Sequence, residues 1–205
     1  GQNAILKILE EPPENAIIIL TAESAAVLLP TIRSRCRLLK LERLSDANLR
    51  VIAAQHELTE NLDFNLKIAD GSAARLLRYS ACEASGLYEN WCNFVKQPHT
   101  TSVRLALAES WSGRNNEDVY YTAQEMIFAW LQRLIHAKAR GALPEPLLPS
   151  EIALLQAVYA PLHLERLLQL WENLNQDAQD AEQHNLDKKI VLLGMFDKTA
   201  HVLAA

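Results

Sequence analysis

Glycine is scarce in this chain of 205 residues: there are 6, at Gly1, Gly71, Gly86, Gly113, Gly141 and Gly194. Phosphate cradles need glycines close together, because only a residue without Cβ lets the backbone wrap tightly around an anion. The spacing here admits no G-x-x-x-x-G-K-[ST] loop, no G-x-G-x-x-G turn and no G-x-S-x-G elbow. Cysteine is also scarce. Cys36, Cys82 and Cys92 are 3 in number, far apart and without a C-x-x-C pair, so they read as reduced thiols of a cytoplasmic protein rather than as disulfides or zinc ligands. No metal site is expected. The histidines are scattered, and His56-Glu57 lacks the second histidine of a zinc-protease motif. Aromatics make up only 6% and do not interleave with basic residues, which argues against a base-stacking surface. The formal net charge is −5, and a chain-wide nucleic-acid surface is normally basic. No apolar run approaches the roughly 18 residues of a membrane span, and no charged-then-apolar leader opens the sequence. The first residue is Gly1 rather than methionine, and the residues after it read as the middle of a helix. A piece of a longer protein is expected.

What is present changes character along the chain. Residues 2–10 place Ala4, Ile5, Ile8 and Leu9 at helical spacing, and Pro12-Pro13 stops the helix. Ala16-Ile17-Ile18-Ile19-Leu20 is continuously apolar and β-branched, the pattern of a strand covered on both faces. Ser24–Leu28 reads as a helical turn, Pro30 opens another, and Arg37-Leu38-Leu39-Lys40-Leu41 reads as a second strand. Helix, strand, helix, strand is α/β grammar, although two strands are too few to make a covered sheet.

Beyond Leu44 the pattern is helical throughout. Ser45 caps a helix to about His56, Thr59 the next with Gly71 as its stop, and Ser72 a third. A fourth covers about 87–95. Residues 97–101 read as a linker. Longer helices follow at about 103–111, 117–139, 150–160, 163–183 and 187–203, with a proline-stiffened connector at 141–149. The fold class is mainly α: the C-terminal remnant of an α/β core at 1–43, a helical domain at 44–97 and a larger helical domain at 102–205.

One locus carries chemistry on residue types alone. L-L-P-T-I-R-S-R-C-R at 28–37 sets Arg33 and Arg35 either side of Ser34, beside a sheet edge. Arginine is always charged, and its rigid fork matches phosphate oxygens. A projecting arginine on a stiff platform can neutralise transition-state charge in phosphoryl transfer. The commoner outcome for such a cluster is a solvated basic face. Thr21 ends the first strand, where α/β sheets place ligand-facing residues, and it equally suits a plain turn. Glu10-Glu11 read as a solvated helix end rather than as paired carboxylates. Trp91, Trp111, Trp130 and Trp171 fall on apolar helix faces and are expected in the core. The acidic run around Asp177, Asp180 and Glu182 reads as an outer helix face.

The same residues carry a family resemblance. Q-N-A-I-L-K-I-L-E-E-P-P at 2–13, a strand ending in Thr21, and L-L-P-T-I-R-S-R-C-R at 28–37 resemble the second half of the AAA+ core in clamp-loader subunits of bacterial DNA polymerase III. The resemblance implies that Arg35, in the S-R-C motif with Ser34 and Cys36, is a finger reaching ATP bound by a neighbouring subunit. It puts Thr21 at the sensor 1 position and gives Asn3, Glu11 and Pro12 a shaping role. It makes 44–97 a helical lid and 102–205 an oligomerising collar.

The chain is most similar to delta-prime members of the family. At Gly71-Ser72-Ala73-Ala74-Arg75-Leu76 the sensor 2 arginine slot of an ATP-hydrolysing subunit is occupied by Ala74. Arg75 is displaced by one position, about 100° around a helix. The terminal run 170–196 also resembles a delta-prime collar. The implied partners are gamma/tau and delta clamp-loader subunits, the sliding clamp, and primer-template DNA through the assembled complex, with no membrane. The implied cofactor is the neighbour's ATP, with none bound by this segment. Whether the protein is an enzyme is left open: the resemblance implies a segment with no catalytic site of its own, acting as a component of a DNA-directed DNA polymerase holoenzyme. The alternatives are an ATP-hydrolysing gamma/tau-type subunit and a helical scaffold with no ATP-related role.

Overall fold

The computed structural model describes residues 2–22, 24–98, 100–113 and 117–204, with side chains from residue 5 onward. The side chain of Asn3, and residue 99 of the expected linker, lie outside the described residues. The chain forms two compact units, Gly1–Glu42 and Arg43–Ala205.

In the first unit, α1 covers Gln2–Glu10 and α2 covers Pro30–Arg33, with a 3₁₀ turn at Ala25–Val27 between them. The Ser24 hydroxyl caps that turn by accepting from the Ala26 N–H at 3.0 Å. The two expected strands do not form. Residues 16–20 and 37–41 carry no strand pairing, and Ile17 and Leu41 are 89% and 85% exposed. A strand is defined by the backbone bonds that it exchanges with a partner. Among the described residues neither run has such a partner, so β-branched composition alone cannot organise them.

The second unit holds α3 (Asp46–Gln55), α4 (Leu62–Ala69), α5 (Ala73–Ala81), α6 (Ala84–Lys96), α7 (Thr101–Trp111), α8 (Glu117–Arg140), α9 (Ile152–Tyr159), α10 (Leu164–His184) and α11 (Lys188–Ala204). The fold is mainly α. Ser45 caps α3 by accepting from the Asn48 N–H at 3.3 Å, and Ser72 caps α5 by accepting from the Arg75 N–H at 3.3 Å. Thr59 does not cap α4. That helix starts after Asn61, a residue in left-handed conformation (φ 50°), and ends on left-handed Asp70. The shift follows from the turn between α3 and α4, which ends when the Leu58 N–H bonds back to Ala53 O at 2.9 Å. Thr59 is thereby left ahead of another turn.

Gly71 is required by its surroundings. Its φ is +77°, and a Cβ there would lie 2.5 Å from Arg43 Cβ. The segment at Arg43-Leu44 is held against it by the Leu44 N–H donating to Gly71 O at 2.9 Å.

One apolar cluster runs from Leu49 on α3 to Ala200 on α11, so the expected 44–97 and 102–205 regions share a core. Its centre is aromatic. Trp91 meets Trp130 edge-on at 5.7 Å, Trp111 meets Phe196 edge-on at 5.6 Å, and Phe94 meets Phe196 at 5.1 Å. Such pairs add about 0.5–1.5 kcal/mol each beyond their area. Trp171 departs from expectation: it is 40% exposed on α10, whose buried stripe is Leu167, Leu170 and Leu174 instead. The acidic run is not wholly outward either, because Asp177 is partly buried and takes the Lys198 ammonium at 2.5 Å.

A buried ionic knot ties α6, α8 and the turn before α9. Glu151 is 0% exposed. Its carboxylate accepts from Tyr88 Oη at 2.5 Å, Arg133 Nη1 at 2.7 Å and the Leu147 N–H at 2.7 Å. Arg133 also donates to the Tyr88 hydroxyl and to the Glu145 carbonyl.

Candidate functional site

The 28–37 segment is built as a short, stiff platform. Pro30 occupies the first position of α2, where its missing N–H would have had no helical partner. The Leu29 carbonyl accepts from the Ile32 and Arg33 N–H groups at 3.0 and 3.1 Å. The Ser34 N–H donates to Pro30 O at 3.0 Å and the Arg35 N–H to Ile32 O at 3.1 Å. Ile32 is the buried anchor of the segment, 1% exposed. The turn therefore fixes its backbone through Arg35.

Side chains complete the platform. The Ser34 hydroxyl donates to Thr31 O at 3.0 Å. Arg35 Nη1 donates to the same carbonyl at 3.0 Å, and Nη2 donates to Glu10 Oε1 at 2.7 Å. Glu10 is the last residue of α1, an unfavourable place for an acid next to the negative end of the helix dipole. The Arg35 guanidinium offsets that charge. Both partners remain partly open, with the Arg35 side chain 37% and the Glu10 side chain 51% exposed. An ion pair this exposed is worth about 0–1 kcal/mol.

Of the site residues expected from sequence, Ser34 and Arg35 are joined through Thr31 O. Cys36 follows them as a free, half-buried thiol. Thr21 is exposed and, among the described residues, makes no hydrogen bond to the platform. Arg33, Arg37 and Lys40 are exposed and form no ion pair among the described residues. Glu10 was not expected as a member. It stands 25 residues from Arg35, and nothing in its helix-end position distinguished it from Glu11.

At the second nucleotide-related position, Ala74 is exposed on α5 and Arg75 turns out to solvent beside it. Among the described residues, Arg75 makes no side-chain hydrogen bond.

Elsewhere the chemistry is structural. Burial pushes the Tyr88 phenol well above its ordinary value, with Glu151 adding to the rise and Arg133 opposing it. The phenol thus stays a donor to the carboxylate. Burial likewise pushes the Cys92 thiol up to about 12, which makes it inert. A groove of about 560 Å³ between α10 and α11 is lined by Arg166, Gln169, Asn173, Asp197, Lys198 and His201. Two of its charges are already paired, Asp197 with Arg104 and Lys198 with Asp177. Among the described residues no three potential ligands gather as a metal site, and no helix is long and apolar enough to cross a membrane.

The platform lies within a segment that matches a known protein family. Residues 1–45 match the family model described as DNA polymerase III, delta subunit. Over 55 residues the chain is 42% identical to the DNA polymerase III subunit gamma/tau of Mycobacterium bovis, and to the same subunit from two strains of Mycobacterium tuberculosis. That similarity covers 27% of this chain and 10% of each relative, so the chain matches only a tenth of the length of these curated proteins. The two matches support a place in the DNA polymerase III clamp-loader family, without separating delta-type from gamma/tau-type members.

Proposed function

We propose that this chain is the delta-prime type of clamp-loader subunit, which acts on a neighbour's ATP rather than its own. In this reading Arg35 is an arginine finger, Thr21 stands at the sensor 1 position, and Ser34 and Cys36 frame the finger. Residues 44–97 serve as the lid and 102–205 as the collar, with gamma/tau and delta subunits as partners in the cytoplasm. The assembled complex places the sliding clamp on primer-template DNA.

The observation that carries the reading is the platform itself. A partly exposed guanidinium projects from a turn whose backbone is closed by four hydrogen bonds. Fixed cationic donors of this kind stabilise phosphoryl-transfer charge without reorganising. The absence of an arginine at Ala74 supports an activating rather than a hydrolysing role. Arg35→Ala in the full-length chain should leave the reconstituted complex assembled and lower its DNA-stimulated ATPase. Fingers in related systems contribute about 10³–10⁵ in rate. An unchanged ATPase in an intact complex would refute the finger.

One observation favours a second reading. The curated relatives that match are gamma/tau subunits. If this chain is of that type, the full-length protein binds and hydrolyses ATP alone. Equilibrium binding of a labelled ATP analogue separates the two.

A further inference from the structure

The fork of Arg35 is held from behind. A guanidinium carries five N–H donors. In this structure Nη1 donates to Thr31 O at 3.0 Å and Nη2 to Glu10 Oε1 at 2.7 Å. Among the described residues, Nε and the second hydrogen of each terminal nitrogen make no further hydrogen bond. The two acceptors lie on different elements, the α2 turn and the C-terminal end of α1, and these helices pack against each other within the first unit. Two anchors on separate elements fix both the position and the roll of a planar group; one anchor would leave it free to swing about the bond that it makes.

We propose that Glu10 is the positioning residue of Arg35, holding the guanidinium so that its remaining donors meet a phosphate oxygen of an adjoining subunit's nucleotide as one preset fork. The inference rests on the finger reading above and adds a residue to it. An arginine side chain carries about 2 kcal/mol of rotamer entropy, and a fork ordered before the phosphate arrives loses less of it at the moment of reaction. The opposite role, a carboxylate competing with phosphate for Arg35, predicts the opposite sign on mutation. The two are separable because Gln keeps an acceptor oxygen at the same reach while removing the negative charge.

The test is steady-state ATPase of the complex reconstituted from full-length subunits, with kcat and KM for ATP measured separately and assembly followed by size exclusion. Glu10→Ala should lower kcat about two- to fivefold, as expected for an exposed pair worth up to about 1 kcal/mol, with KM unchanged. Glu10→Gln should restore most of the loss. In the Arg35→Ala background, Glu10→Ala should have no further effect, since a positioning residue has nothing left to position. If the alanine variant fails to assemble, Glu10→Ser takes its place.

A Glu10→Ala complex as fast as wild type, or faster, overturns the proposal, as does an additive loss in the double variant. If Arg35→Ala loses ATPase while Glu10→Ala does not, the finger stands and the positioning role falls. If Arg35→Ala itself is without effect, the finger reading falls and the inference with it.

Discussion

Replacing Arg133 by methionine should destabilise the second unit far more than a surface ion pair would suggest. The reason is the asymmetry of burial within the knot. Glu151 is 0% exposed, whereas the Arg133 side chain keeps 21% of its surface in water. Once the guanidinium is removed, the carboxylate retains only two neutral donors, Tyr88 Oη and the Leu147 N–H. The Glu145 carbonyl loses its arginine donor as well. Breaking a buried pair in this way costs about 3–5 kcal/mol. With a urea m-value of about 1–3 kcal/mol per M, the unfolding midpoint followed by far-UV circular dichroism should fall by about 2 M. Adding Glu151→Leu to Arg133→Met removes the stranded charge and leaves only neutral groups unpaired, the tyrosine and amide donors and the Glu145 carbonyl, each costing about 1–3 kcal/mol where water cannot reach it, against more for a charge. The double variant should therefore be more stable than Arg133→Met alone. A midpoint shift below about 0.5 M for the single variant, on the same m-value scale, would refute the reasoning. So would a double variant weaker than the single.

Two further outcomes follow from positions described above. Gly71→Ala forces a side chain into φ +77° and against Arg43 Cβ. A left-handed conformation alone costs about 1–2 kcal/mol, and the overlap adds to it, so the melting temperature should drop by about 4–8 °C; an unchanged melting temperature would show that the turn yields freely. Stability should also fall in alkali. Burial raises Cys92 from an ordinary 9.0 and Tyr120 from 10.0, each to about 12, and raises Tyr79 and Tyr88 as well. These groups stay protonated in the folded chain while the unfolded chain ionises. Their contribution is present in full below about pH 9 and is lost progressively as pH rises towards 12. Urea midpoints at pH 8, 10 and 11 measure it, and a flat profile would contradict it.

Helix starts were legible wherever a serine cap stood before a periodic run, as at Ser45 and Ser72, because the cap and the period are both local. The start of α4 was not. Asn61 opens it through a left-handed backbone, and that conformation depends on how the preceding turn closes. The runs at 16–20 and 37–41 carry strand composition but no strand, since pairing is a property of two segments rather than one. The platform around Arg35 was legible because Pro30, Ser34 and the arginines lie within one turn of each other. Its Glu10 partner was not, nor was the Tyr88–Arg133–Glu151 knot. Both depend on residues far apart in the chain, where sequence offers only an ordinary acid. Trp171 reads as core on an apolar helix face, yet α10 turns its Leu167, Leu170 and Leu174 stripe inward and leaves the indole out.

That placement divides the intrinsic fluorescence of the chain into two populations. Trp91, Trp111 and Trp130 emit from a dry ring cluster spanning α6, α7, α8 and α11, while Trp171 emits from the water-facing side of α10. A collisional quencher such as iodide reaches the fourth indole and is kept from the other three. Whatever covers the outer face of α10 announces itself by shielding one tryptophan in four, with no label introduced and no residue changed.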